Sequence, residues 1–222
     1  MGKTAEVYQE IKVMLAGKTI DAVWPPLVFV FANLFVELIW AVVAALALAT
    51  ILAIRRLIGR QKWHYAVAGL LGVAIAGGFA LWTQNAVNYF IPVTAGTALW
   101  FTFSLGTIVV KKPLAALASH LTRRWPLEWY WRSDVRPAYV AVTWFWVVFF
   151  LLRLVAQTLL FLGGDAFVFA WANALLGWPV VVVVLIISYV YGQWRLRSLG
   201  GPGVDEFTQH ASPPWQGQQR GF

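Results

Sequence analysis

Residues 38–56 read LIWAVVAALALATILAIRR, an apolar run closed by two arginines. A helix needs about 20 such residues to cross a bilayer core of ~30 Å, and this run ends where positive charge begins. The pattern recurs. Six apolar segments stand out, at about 20–35, 38–54, 63–82, 90–110, 138–162 and 166–191. Of the 222 residues 60% are hydrophobic and 12% charged, whereas soluble domains carry roughly 25% charged residues. Mean hydropathy is +0.69. The expected fold is all-α, a polytopic membrane helix bundle.

The first segment is short. Its 16 residues, interrupted by Pro25 and Pro26, reach about 24 Å at ~1.5 Å per residue. It reads as either a short span or a re-entrant segment. Charge placement supplies the count and orientation. Arg55, Arg56, Arg60 and Lys62 follow segment two; Lys111, Lys112, Arg123, Arg124, Arg132 and Arg136 lie between segments four and five; Arg195 and Arg197 follow segment six. Connections 83–89 and 163–165 hold no Lys or Arg. Basic loops face the cytoplasm, so six spans with both termini cytoplasmic also place Lys3, Lys12 and Lys18 inside. The net charge of +8 then faces anionic lipid and not nucleic acid. Residues 1–18 hold Glu6 and Glu10 and no continuous apolar core, so no cleavable signal peptide is expected. The organisation read from these features is a cytoplasmic segment at 1–19, a six-helix domain at 20–192 and a tail at 193–222.

The longest cytoplasmic loop carries its own pattern. Pro113 suits the first position of a helix. Leu114, Leu117 and Leu121 follow at helical spacing, which predicts an amphipathic surface helix over 113–122. Trp125, Trp129, Tyr130 and Trp131 then interleave with Arg123, Arg124 and Arg132, a combination that favours the headgroup region. Lys111, Lys112, Arg123, Arg124, Trp125, Trp129 and Trp131 are accordingly the expected interfacial set. Residues 200–222, rich in Gly, Pro and Gln without apolar periodicity, read as disordered.

Small residues repeat inside the spans. Ala41, Ala45, Ala49 and Ala53 make one face of segment two, and Ala68, Gly72 and Ala76 one face of segment three. Such stripes let helices approach closely in lipid and predict internal seams; packing also accounts for Gly77 and Gly78. Pro179 in segment six predicts a kink.

Ionisable and amide groups at membrane depth are costly and mark candidate sites. Arg153 lies in segment five, one turn before Gln157, with Thr158 beside it. The orientation puts Arg153 in the outer half, level with Asn33, Glu37 and Asn173 and near Gln84, Asn85 and Asn88 of the external loop. Two readings follow: a structural Glu37–Arg153 pair with amide partners, or a polar cavity open to the outside. Few catalytic or cofactor signals accompany them. The chain has no Cys, and His64, His120 and His210 are scattered, so neither metal ligation nor any other cofactor is expected. Glu128 and Asp134 read as salt-bridge partners of the neighbouring arginines. An enzyme is not expected.

The run Val110-Lys111-Lys112-Pro113-Leu114 resembles a motif of the bacterial intracellular septation protein A (YciB) family. That resemblance extends to Pro26-Leu27-Val28-Phe29-Val30-Phe31 and Phe149-Phe150-Leu151-Leu152. Leu27-Val28-Phe29-Val30, Arg153-Leu154-Val155-Ala156-Gln157 and Leu176-Gly177-Trp178-Pro179 are closer to an uncharacterised actinobacterial membrane family of unknown function. The resemblance implies a non-enzymatic inner-membrane protein of the septation and cell-envelope class, a scaffold or lipid-contacting partner. Membrane lipids, other membrane proteins or a second copy are the partners expected. A small transporter or channel with its site around Arg153 and Glu37 is the alternative.

Overall fold

The computed structural model describes residues 23–59, 63–219 and 221–222. Lys3, Lys12, Lys18, Arg60, Lys62 and the expected segment 1–19 lie outside the described residues. The regular structure is helical: α1 (Trp24–Asn33), α2 (Leu38–Ile58), α3 (Trp63–Thr83), a 3-10 turn (Ala86–Phe90) leading into α4 (Ile91–Val109), α5 (Leu114–Arg123), α6 (Leu127–Trp131), α7 (Arg136–Gly163), α8 (Ala166–Leu175), α9 (Trp178–Ser198) and α10 (Val204–Thr208). Five stretches, Leu38–Ile58, Trp63–Thr83, Ala86–Val109, Arg136–Gly163 and Ala166–Ser198, are long and apolar enough to span a bilayer. The chain is a multi-pass membrane protein. Helix α1 has 10 residues, about 15 Å or half a hydrocarbon core, so the described part of segment one is shorter than a span.

Segment six is two helices, where the sequence predicts one kinked helix. Helix α8 ends at Leu175 and α9 starts at Trp178. The Gly177 amide reaches back to the Ala174 carbonyl at 3.3 Å, tightening the last turn. Pro179 has no N–H to continue the ladder, but in the first turn of a new helix none is needed.

The residues group into two compact units, the first comprising the chain to Ala95 with Ala156–Trp178, the second Gly96–Val155 with Pro179–Phe222. In the first, α2 packs on α1 and α3, and α8 packs on α1 and the 3-10 turn. Two ring stacks fix that turn: Phe29 on Tyr89 at 4.1 Å and Phe90 on Phe169 at 4.5 Å. Val87 and Tyr89, expected in an external loop, are therefore buried. Helices α2 and α3 approach closely at Gly77, where a Cβ would meet Val42 Cγ1 at 2.6 Å. Gly78 faces open space, so packing explains the first of the two glycines only.

In the second unit the surface helix starts at Leu114, one residue later than expected, with Pro113 as its N-cap. Pro113 has no capping side chain. Instead the buried hydroxyls of Thr107 and Thr143 accept from the Leu114 and Ala115 amides at 3.0 and 3.1 Å. Helix α6 then buries Trp129 and Tyr130 completely, together with Tyr139. Trp129 is thus a core residue, contrary to the expected interfacial role, because its indole N–H finds the Pro202 carbonyl at 2.9 Å.

That carbonyl belongs to the segment expected to be disordered. Residues 200–219 and 221–222 are folded: Gly201, Pro202, Gly203 and Val204 are buried, and α10 carries Glu206. The Glu206 carboxylate accepts from the amides of Gly203, Gln216 and Gly217 at 2.7, 2.6 and 3.1 Å. Phe222 stacks on Tyr139 at 4.3 Å, and its carbonyl accepts from Arg123 Nε at 3.0 Å. Low apolar content signals disorder only when nothing nearby offers partners. Here Trp129, Arg123 and Tyr139 do. Helix α9 also runs to Ser198, beyond the expected 192 boundary.

Two outcomes are expected. A Cβ at Gly192 would come within 2.7 Å of the Phe222 ring. Overpacking of about 1–3 kcal/mol exceeds the ~1 kcal/mol helix gain of a Gly→Ala change, so Gly192→Ala should make residues 200–222 more sensitive to limited proteolysis; unchanged protection would refute the plug. Second, backbone hydrogen bonds from Gly203 and Gln216 hold the Glu206 carboxyl below its ordinary range. The clasp is then complete above the ordinary value of about 4.3 and weakens as pH falls through the lowered one. Tryptophan fluorescence should report acid release, and Glu206→Gln should remove that pH dependence.

Candidate functional site

The small-residue stripes of α2 and α3 form a seam at one end and part at the other. Ala41 and Ala45 are buried with Ala76 and Ala80 in one core cluster. Farther along, Ala49 and Ala53 of α2 and Ala68, Gly69, Gly72 and Val73 of α3 line an open cleft of about 400 Å³, entirely within the first unit. This is in the range of small-ligand sites. From Ala66 to Ala76 the α3 wall rises about 15 Å, half a bilayer core.

The ends of the cleft differ chemically. At one end is the half-buried Arg56, whose Nη1 donates to the Tyr65 carbonyl at 3.4 Å. A Cβ at Gly69 would lie 3.6 Å from that nitrogen, so the guanidinium rests across α3 at the glycine. Toward the other end are Asn173, Tyr89 and Phe90. Gln157, completely buried, donates from Nε2 to Asn173 Oδ1 at 2.9 Å. The Tyr89 hydroxyl is buried and, among the described residues, makes no hydrogen bond. Pro25 and Pro26 also line the cleft. They open α1 without a side-chain cap, and as prolines they remove two of the amides a helix start would leave bare.

The intramembrane cluster read from the sequence is partly assembled. Gln157 and Asn173 are bonded. Asn33 lines a separate recess with Gly164, Asp165 and Ala166. Glu37 is the N-cap of α2, exposed and making no side-chain cap bond. Arg153 is half-buried, one turn before Gln157 on α7 but in the second unit. Gln84 bonds locally to the Leu81 carbonyl at 2.6 Å, and Asn85 accepts from the Val87 amide at 3.0 Å.

The interfacial set divides similarly. Lys111, Lys112 and Arg124 are exposed, whereas Trp125 and Trp131 are half-buried. Arg123 lies 5.0 Å over the Trp125 ring. Leu121 is 78% exposed, while α5 turns Ala116 and Ser119 inward, Ser119 accepting from the Tyr130 hydroxyl at 3.0 Å. Asp134 takes a two-point bond from Arg132 at 2.9 and 2.8 Å, which holds its carboxyl low. Glu128 is exposed. The His120 ring meets the Trp125 carbonyl at 2.7 Å. Sequence reading missed Arg56, Tyr89, Thr107 and Thr143. For Arg56 the signal was present: an arginine one turn beyond Leu52-Ala53, on the small-residue face.

The family model described as a protein of unknown function (DUF3159) matches residues 17–196, so the chain belongs to that family. No curated protein and no solved structure matches. The likeness to the septation family therefore rests on the quoted motifs alone. All the residues of the cleft lie within the matched region, and residues 200–222 lie beyond it.

Interhelical amide bonds in bilayers contribute about 0.6 kcal/mol on average and ~1.7 at most. A double-mutant cycle of Gln157→Leu and Asn173→Leu, read by unfolding in detergent, should return a coupling in that range. Strictly additive effects would show that the bond contributes nothing.

Proposed function

We propose that this DUF3159 chain is a non-enzymatic, lipid-contacting scaffold of the bacterial cytoplasmic membrane, of the septation and cell-envelope class, and that the α2–α3 cleft holds an anionic membrane lipid. One observation carries the reading: small apolar walls run about one leaflet's depth from a guanidinium. An empty apolar cleft forfeits dispersion contacts along its whole lining, which an acyl chain restores. Arginine matches phosphate with paired, charge-assisted bonds. The positive-inside rule turns Arg55 and Arg56 toward the cytoplasmic leaflet, where anionic lipid is enriched. The exposed Lys111, Lys112 and Arg124 add to that basic face. The cleft's polar groups, a guanidinium, a carboxamide and a phenol, suit binding better than turnover. The septation-family motifs support the cell-envelope assignment.

A small transporter is the second reading, favoured by the break between α8 and α9 beside Asn173. Discontinuous helices form the sites of many transporters.

Native mass spectrometry of the purified protein should show retained anionic phospholipid. Arg56→Gln should reduce that retention about tenfold, the effect of ~1.4 kcal/mol. Gly72→Leu, which fills the cleft, should abolish it while helicity and elution volume stay unchanged. Lipid-free protein that catalyses solute flux in proteoliposomes, lost on Arg153→Met or Asn173→Leu, would replace the scaffold with the transporter.

A further inference from the structure

We infer that the notch closed by Phe222 is a peptide-recognition site that reads a glycine followed by an aromatic residue, and that a partner protein presenting such a pair displaces Phe222 from it. The inference is independent of the lipid reading, and the notch lies wholly within the second unit.

The resident occupant shows what the notch accepts. The Phe222 ring stacks on Tyr139 at 4.3 Å. It also lies against Gly192, where a Cβ would come within 2.7 Å of the ring, so the ring is held between a tyrosine and a bare stretch of helix. The Phe222 carbonyl accepts from Arg123 Nε at 3.0 Å, a charge-assisted bond. The preceding position is equally restricted. Gly221 has a φ of 75°, and a Cβ there would lie 2.9 Å from both Arg123 Nη2 and the Tyr189 hydroxyl. A side chain would meet backbone strain and two polar groups at once. Ring, carbonyl and bare Cα together make a three-point test that a hydrocarbon chain cannot meet.

The occupant can leave without unfolding the tail. Gln218 is buried, and its Oε1 accepts from the Val204 amide at 3.0 Å. Glu206 holds the amides of Gly203, Gln216 and Gly217. These bonds all lie within residues 203–218, so they persist when the chain beyond Gln218 swings out. Gln219 is exposed and bonds back to the Gln216 carbonyl at 3.0 Å. Vacating the notch therefore breaks chiefly the contacts of Gly221 and Phe222. A tethered occupant competes at an effective concentration of about 1 mM. A second copy, closing its own notch with the same pair, gains nothing by exchange; a partner with contacts beyond the pair does.

The probe is a fluorescent peptide of residues 216–222 with both ends blocked, titrated into full-length protein in non-ionic detergent. It should bind Phe222→Ala protein about tenfold or more tightly than native protein, because the competing ring is gone. Gly221→Ala in the peptide should weaken binding about tenfold, and Gly192→Ala added to the Phe222→Ala protein should abolish it. Equal binding to native and Phe222→Ala protein, or equal binding of the Gly221→Ala peptide, overturns the site. Native protein supplies a readout that does not depend on the variant folding: excess peptide should speed hydrogen exchange across residues 219–222, and unchanged exchange overturns the displacement. A native dimer that dissociates on Phe222→Ala would assign the notch to a second copy and overturn the partner reading.

Discussion

A bare backbone amide or carbonyl has no solvent in a bilayer core, and each costs several kcal/mol. Several departures from continuous helix among the described residues are accompanied by a local device that meets that constraint. After α3, Gln84 takes a left-handed φ of 53° and Asn85 accepts from the amide two residues on. Between α7 and α8, Gly164 at φ 74° turns the chain and Asp165 accepts from the amides of Phe167 and Val168 at 2.8 and 3.0 Å. Prolines open α1, α4, α7 and α9 within their first turn, removing donors where none could be satisfied. Buried threonines from α4 and α7 do the same for α5.

Once each helix is self-sufficient, how closely two helices approach depends on side-chain size. Association in lipid draws on dispersion and lipid entropy, so small residues matter most where backbones meet. Gly77 packs directly against Val42, and the alanines in the same buried cluster close the seam. Nearer Arg56 the residues are equally small, but there they line an open cleft. The same composition therefore yields a seam at one end and a cleft at the other. Which of the two results depends on what packs from the side, chiefly the 3-10 turn with Tyr89 and Phe90. That turn is short, aromatic and pinned by two ring stacks.

The helical membrane class and the positions of the long spans were legible because apolar length and charge position are one-dimensional signals. Arg55, Lys111 and Arg195 each mark a span end to within three residues. The Gln157–Asn173 pair was legible only as shared depth; its lateral contact is tertiary. Pro179 was misread because a proline inside an apolar run looks the same whether it bends a helix or starts another. Trp129 was misread because aromatic and basic residues interleave both at an interface and around a small core, and only the Pro202 carbonyl decides between them. Residues 200–222 looked disordered because their binding surface comes from residues 123–192, far away in sequence.

The folded tail also joins residues inside the family match to residues beyond it. The notch that receives Phe222 is built from Arg123, Tyr139 and Gly192, all within residues 17–196 that match the family, whereas Phe222 lies beyond them. Without an occupant, the Tyr139 ring would lose its stacking partner at 4.3 Å and Gly192 would face a void the size of a phenyl ring. A glycine in a helix already costs about 1 kcal/mol relative to alanine. The Phe222 ring fills the space that the missing Cβ leaves, and the charge-assisted bond from Arg123 to the Phe222 carbonyl holds that ring in register. The second unit thus completes its core with a segment from outside the family match, while the cleft of the first unit is built wholly from residues within it.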